Sequence, residues 1–159
     1  MGCPVLITRE LVTKVFGDLD GIGVDLVDVQ VLTDLIADGG QVFLDACWTP
    51  TEQAEAHRDP ERLAGRWAAK EAVMKCLGKG IGDVEPTDIE ILSLSSGAPT
   101  VSLRAQAAVI ADAHQLGGWL ISITHENGWA AAIAVAHRHA RPPSFDSSLE
   151  GSNGVDRHV

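Results

Sequence analysis

The chain has 159 residues, 45% of them hydrophobic, and a formal net charge of −10 with a pI near 4.8. This length fits one compact domain and leaves no room for a second. Binding to nucleic acid or to an anionic membrane requires a basic face, and an aromatic content of 4% offers few stacking platforms for bases. We therefore expect neither nucleic acid nor a membrane as a partner.

Composition also predicts the domain limits. Residues 1–19 form an N-terminal extension, residues 20–137 the domain, and residues 138–159, rich in Ser, Pro, Arg and His without periodicity, a disordered tail. The apolar run near the N-terminus is broken by charge too early for a signal peptide, which predicts a cytoplasmic protein. Three widely spaced cysteines without a C-x-x-C pair indicate reduced thiols and no zinc site.

The first predicted element is a β-strand over residues 21–29, where apolar side chains alternate at Ile22, Val24 and Leu26. Asp25 lies on the opposite side of that strand. A carboxylate inside an otherwise apolar strand has two interpretations: a metal ligand or catalytic group, and a structural acid with satisfied hydrogen bonds.

Two helices are predicted next. Asp28 caps a helix that runs to about Ala37 and ends at Gly39 and Gly40. Thr49-Pro-Thr-Glu52 is a capping box that begins a short helix to about Ala56, with no chemical role assigned to it.

A long helix over about residues 60–77 follows, capped by Asp59, begun by Pro60 and stopped by Gly78. Half of the basic residues lie in or beside it, spaced mostly by four, which predicts either a solvated helix face or a binding surface: Arg58, Arg62, Arg66, Lys70, Lys75 and Lys79. Glu71 and Lys75 project from successive turns. They form a surface ion pair, or a metal ligand beside a phosphate-binding cation.

The remaining elements predict an α+β fold. A strand over residues 88–94 pairs with one over residues 100–103, a helix covers about residues 104–115, and Gly117 and Gly118 precede a strand over residues 119–124. A tight turn at residues 126–128 leads to a last strand over residues 129–136. We expect a largely antiparallel sheet packed on one long helix. His125, at a strand end, is by itself more typical of a hydrogen-bonded surface residue than of a catalyst.

Three separated segments together resemble the 4′-phosphopantetheinyl transferase superfamily, in the order and spacing of its short holo-[acyl-carrier-protein] synthase group. They are Gly21-Ile-Gly-Val-Asp25-Leu-Val, Ala64-Gly-Arg66-Trp-Ala-Ala-Lys70-Glu71-Ala-Val-Met-Lys75-Cys-Leu-Gly-Lys-Gly-Ile-Gly82, and Ile121-Ser-Ile-Thr124-His125. The resemblance covers about residues 20–136, and the middle segment is its most specific part.

The resemblance implies the fold of that superfamily and transfer of the 4′-phosphopantetheine arm from coenzyme A to a serine of an apo acyl carrier protein, which releases adenosine 3′,5′-bisphosphate. It implies Asp25 and Glu71 as ligands of Mg²⁺, Asp25, Glu71 and Lys75 as catalytic residues, and Glu71, directly or through a water on the metal, as the acceptor of the serine proton. The residues implied in binding coenzyme A are Arg66, Lys75, Lys79, Gly80, Thr124 and His125.

The same resemblance implies a homotrimer with coenzyme A held between subunits, acting in fatty-acid or polyketide synthesis. Short relatives carry basic residues on the helix after the strand aspartate, where they meet an acidic carrier, but residues 29–38 here contain none. Either the basic residues between Arg58 and Arg66 dock the carrier, or the partner is a less acidic carrier domain. Two other functions stay open: a non-catalytic coenzyme A-binding module, and a magnesium-dependent nucleotide hydrolase.

Overall fold

The computed structural model describes residues 19–138. Of the predicted extension the structure describes only Leu19, and of the predicted tail only Arg138. Cys3 lies outside the described residues. The elements follow in the order β1 (Leu19–Asp28), α1 (Val29–Cys47), α2 (Pro50–Ala56), α3 (Pro60–Cys76), a 3₁₀ turn (Pro86–Asp88), β2 (Ile89–Ser93), β3 (Pro99–Leu103), α4 (Ala105–Ala113), β4 (Leu116–Glu126) and β5 (Trp129–Arg138).

The strands form two antiparallel sheets. One has three strands in the order β1-β5-β4, and the other is the β2-β3 hairpin. The three-stranded sheet packs one face on α3, so the predicted α+β architecture is confirmed. Among residues 19–138, no helix is long and apolar enough to cross a membrane.

Small side chains let α3 lie directly on this sheet. Every second residue of β5 from Ala130 to Ala136 is a buried alanine, and β1 contributes Gly21 and Gly23 beside them. A Cβ atom added to Gly23 would lie 1.9 Å from the carbonyl oxygen of Ala72 in α3. The close approach of strand and helix therefore depends on glycine at this position, and it brings the inner face of β1 against the middle of α3.

The opposite face of the sheet is apolar and uncovered. Asp25 points to the opposite face of β1 from the alternating apolar side chains, as predicted. The face that bears Asp25 packs against α3, and the face that bears the apolar side chains is exposed. Ile22, Val24 and Leu26 are 62%, 56% and 59% exposed, and Leu120 of β4 is exposed in the same face. We call this surface, with Ile133 of β5, the outer apolar face.

One predicted boundary is confirmed in part and one is wrong. Gly40 (φ 56°, ψ −143°) is non-helical, so the first helical segment of α1 ends at the predicted glycines, but a second segment continues to Cys47, where Leu44 and Cys47 bury apolar surface with Leu63 of α3. Gly117 and Gly118 lie within β4, where the pairing with β5 shifts register. The capping box at Thr49 and Glu52 and the helix from Pro60 are confirmed, as are the β2-β3 and β4-β5 hairpins.

Candidate active site

The inner face of β1 presents Asp25 to α3. Lys75 Nζ lies 2.8 Å from Asp25 Oδ1 and donates a second hydrogen bond to the carbonyl oxygen of Val24 at 3.0 Å. The partner of Lys75 is therefore the strand carboxylate and not Glu71 one turn earlier on its own helix. This contact joins the first and second of the three sequence segments.

Glu71 lies beside this pair. Burial raises the pKa of the Glu71 carboxyl, the negative charge of Asp25 raises it further, and the Lys75 ammonium opposes both. Asp25 and Glu71 line a cleft of about 320 Å³, which we call the carboxylate cleft; its other lining residues are Leu26, Val27, Asp28, Val31, Leu32, Leu35 and Trp67. A strand acid and a helix acid that are distant in sequence thus face one space.

The donor atoms of this cleft suit a hard divalent cation. Asp25 and Glu71 offer carboxylate oxygens, and the other residues that line the cleft have no side-chain nitrogen or sulfur except the Trp67 ring nitrogen, which is a donor only. Within residues 19–138, no group of three or more His, Cys, Asp and Glu residues could enclose a metal. A pair of carboxylates fits Mg²⁺, which keeps several waters and takes phosphate oxygens from a substrate, better than a metal that needs a full protein cage.

A second cleft, of about 440 Å³, lies on the other flank of α3 and is lined by Arg66 and His125 among others. Arg66 is 7% exposed; its Nε donates to the carbonyl oxygen of Ile91 at 3.1 Å, and its Nη2 lies 2.9 Å from Glu55 Oε2. His125 is exposed at the end of β4. We call this space the arginine cleft.

One chain does not gather all the predicted site residues. The carboxylate cleft lies at the β1 edge of the sheet, and the arginine cleft at the β4 edge, with β5 between them. Thr124 is exposed on the outer apolar face, since neighbouring residues of a strand point to opposite sides. Lys79 and Gly80 follow the carboxyl end of α3 and line neither cleft.

The basic residues do not form the exposed helix face that their spacing predicts. Arg58 precedes α3 in a left-handed conformation (φ 59°) and donates to Gln41, while Arg66 and Lys70 are buried. A spacing of four residues advances 400° around a helix, so successive cations rotate from solvent into the core. The carboxylates that pair with these cations come from other elements: Glu55 with Arg66, Glu52 with Lys70, and Asp25 with Lys75.

Three residues gain importance only from the structure. Asp28, predicted only as a helix cap, and Trp67, for which the sequence predicts no role in the site, both line the carboxylate cleft. Asp28 does cap α1, since its Oδ1 accepts from the backbone N–H of Gln30 at 2.9 Å. Glu52 pairs with Lys70, the residue that precedes Glu71 in the chain. The sequence offers one signal for an acid such as Glu52, namely Lys70, because a lysine on an apolar helix face requires a buried acid as its partner.

Comparison with known proteins supplies an independent observation. A protein-family model described as the 4′-phosphopantetheinyl transferase superfamily matches residues 21–134. The holo-[acyl-carrier-protein] synthase of Gloeobacter violaceus is 39% identical over 119 residues, which cover 72% of this chain and 89% of that protein. The synthase of Magnetococcus marinus is 41% identical over 128 residues, covering 75% and 93%.

Solved structures of holo-[acyl-carrier-protein] synthases are also similar to this chain. The crystal structure of the Neisseria meningitidis holo-[acyl-carrier-protein] synthase has a TM-score of 0.70 at 30% identity, covering 76% of this chain and 100% of that one. The Helicobacter pylori synthase, solved in complex with coenzyme A, has a TM-score of 0.68 at 28% identity, covering 73% and 99%.

Proposed function

Because the chain belongs to the 4′-phosphopantetheinyl transferase superfamily, we propose that the residues of its carboxylate cleft catalyse the transfer of 4′-phosphopantetheine. The chain transfers the 4′-phosphopantetheine arm of coenzyme A to a serine of an apo acyl carrier protein and releases adenosine 3′,5′-bisphosphate. The observation that carries the assignment of residues is the meeting of Asp25, Glu71 and Lys75 at one contact between β1 and α3.

Asp25 and Glu71 are the residues that would hold Mg²⁺. When bound there, the cation would neutralise charge on the pyrophosphate of coenzyme A during transfer. The mutual repulsion of the two carboxylates, which contributes to the raised pKa of Glu71, supports this assignment, because a cation between them would relieve it.

Glu71 also accepts the proton of the carrier serine. The serine oxygen attacks the phosphorus that bears pantetheine, and the bond from that phosphorus to the oxygen of the adenosine bisphosphate breaks. Burial makes Glu71 a stronger base than an exposed carboxylate, which favours this role. Lys75 has three N–H donors, of which Asp25 and Val24 take two, so one is left for the departing bisphosphate.

The residues proposed to hold coenzyme A come from both flanks of α3. Arg66 and His125 line the arginine cleft, and Thr124 lies on the other side of β4. Lys79 and Gly80 lie beyond the end of α3, where the exposed ammonium of Lys79 offers a positive charge for a phosphate of coenzyme A.

This division favours a homotrimer in which the β4 edge of one subunit completes the carboxylate cleft of the next. The outer apolar face supports the assembly, because a face this apolar is usually buried against another surface. A contact between two different edges closes into a ring when the rotation allows it. Cytoplasmic location and a role in fatty-acid or polyketide synthesis stay predictions.

The direct test is transfer itself. Incubation with coenzyme A, Mg²⁺ and a panel of apo carrier proteins should add one phosphopantetheine mass to a carrier, read by intact-mass spectrometry. EDTA and Asp25→Ala should each abolish the addition. Binding of coenzyme A without any addition would contradict the transferase and favour a non-catalytic coenzyme A-binding protein.

A further inference from the structure

The outer wall of the carboxylate cleft is apolar. Val31 and Leu35 of α1 are 56% and 49% exposed, and both line the cleft that holds Asp25 and Glu71. They are four residues apart and therefore lie on adjacent turns of one helix face. A serine that reaches Glu71 must be presented by a protein whose surface passes across these two side chains.

The charge around this wall is negative. α1 contains Asp34, Asp38 and Asp45 and no Lys, Arg or His. Asp34 and Asp38 are exposed and follow Val31 and Leu35 by three positions each, so they flank the same apolar patch. Among the described residues, Asp34 accepts a hydrogen bond from the neutral amide of Gln30, at 2.9 Å, and forms no ion pair.

The arginines of α3 and its N-terminal side lie away from this wall. Arg58 donates to Gln41, beyond the kink of α1, and Arg62 pairs with Asp59 and lines the arginine cleft. Arg66 is buried against Glu55. Lys75, which is paired with Asp25, does not line the carboxylate cleft itself. No arginine of residues 19–138 lines the carboxylate cleft, which favours the less acidic carrier over docking by arginines.

We propose that Val31 and Leu35, flanked by Asp34 and Asp38, dock a carrier protein whose surface next to the modified serine is apolar and bears uncharged or basic side chains. The inference rests on the proposed function and narrows its partner. Charge complementarity sets encounter rate and partner choice, so an acidic carrier surface is repelled by the aspartates and gains no cation from α1. The acceptor is thus a carrier domain whose docking surface is uncharged or basic.

The test uses one carrier in two versions. In the first, the helix after the modified serine carries its acidic side chains, and in the second these are replaced by the matching amides. With coenzyme A and Mg²⁺, we expect kcat/KM to be at least about 5-fold higher for the amide version at low ionic strength. Added salt should narrow the gap, because it screens exposed charges.

Enzyme variants locate the effect. Asp34→Asn with Asp38→Asn should improve modification of the acidic version by a larger factor than that of the amide version, whereas Asp112→Asn, an exposed aspartate on α4, should change neither. Leu35→Ser should raise KM for the carrier without altering the Kd of coenzyme A. Its matched control is Val109→Ser, an exposed apolar residue on α4.

Two results would overturn the inference in different ways. Faster modification of the acidic version, with a rate that falls as salt rises, would show a cationic docking surface and leave the transferase activity intact. Failure of both versions to gain the phosphopantetheine mass, while coenzyme A binds, would overturn the proposed function and the inference with it.

Discussion

Lys70 Nζ lies 2.8 Å from Glu52 Oε2, and both side chains are fully buried. Lys70 also donates to the carbonyl oxygens of Pro86 and Ile89, while Glu52 accepts from the backbone N–H groups of Thr49 and Ile91. Burial lowers the pKa of Lys70, and the facing carboxylate opposes that effect. The pair joins α2, α3 and β2 immediately before Glu71 in the chain, so it holds the catalytic turn of α3 in place.

Removing one charge of this pair should therefore destabilise the fold. Glu52→Gln leaves the Lys70 ammonium buried without a counter-charge, at a cost of about 3–5 kcal/mol in the free energy of unfolding. Arg62→Gln, which removes an exposed ion pair with Asp59, should cost less than about 1 kcal/mol. Urea denaturation followed by circular dichroism measures both, and equal losses would contradict the role given to the buried pair.

The contact of β1 with α3 depends on Gly23. Gly23→Ala places a methyl group 1.9 Å from the Ala72 carbonyl oxygen, so the helix must move away from Asp25. We expect a loss of about 1–3 kcal/mol in stability, typical of overpacking, together with a large fall in kcat. The stability control is Gly80→Ala, where an added Cβ meets nothing within 4 Å. An unchanged melting temperature for Gly23→Ala would contradict this geometry.

A site shared between subunits can be tested by mixing inactive variants. Asp25→Ala lacks the carboxylate half and His125→Ala lacks the β4 half, so each alone should be nearly inactive. Co-refolded trimers contain junctions where an intact Asp25 meets an intact His125, which predicts recovery of about a quarter of wild-type activity. As a control, a mixture of the Asp25→Ala and Asp25→Asn variants, which are both defective in the same half of the site, should recover no activity.

The same assembly predicts a concentration dependence. Activity should disappear when dilution dissociates the trimer, as followed by light scattering alongside transfer. A monomer that retains full activity would refute the shared site.

The raised pKa of Glu71 predicts a pH dependence of stability in EDTA. Because its folded-state pKa lies above the ordinary 4.5, the folded chain binds more protons than the unfolded chain between these two values. Stability should therefore fall as pH rises through that window. Glu71→Gln should remove this fall and stabilise the metal-free protein at neutral pH, while Glu85→Gln, an exposed control, should not. A Glu71→Gln profile parallel to wild type would contradict the assignment.

Much of the local structure follows from the sequence alone, because local chemistry decides it. Asp59 and Pro60 begin α3, Thr49 and Glu52 form their capping box, and alternation around Asp25 predicts β1. Gly39 and Gly40 break α1 where the sequence predicts, but its second segment to Cys47 is not predicted, since it is stabilised by the burial of Leu44 against residues distant in the chain. The resemblance of three separated segments likewise gave the family that the comparisons show.

Tertiary structure alone decided the rest. That Lys70 pairs with Glu52 and Lys75 with Asp25 depends on contacts between residues far apart in the chain, which no local pattern encodes. The sheet order β1-β5-β4 places Asp25 and His125 at opposite edges, although their segments belong to one motif set. Strand alternation separates Asp25 from its apolar neighbours on β1, but only the packing of α3 determines which side becomes the core and which is left as the outer apolar face.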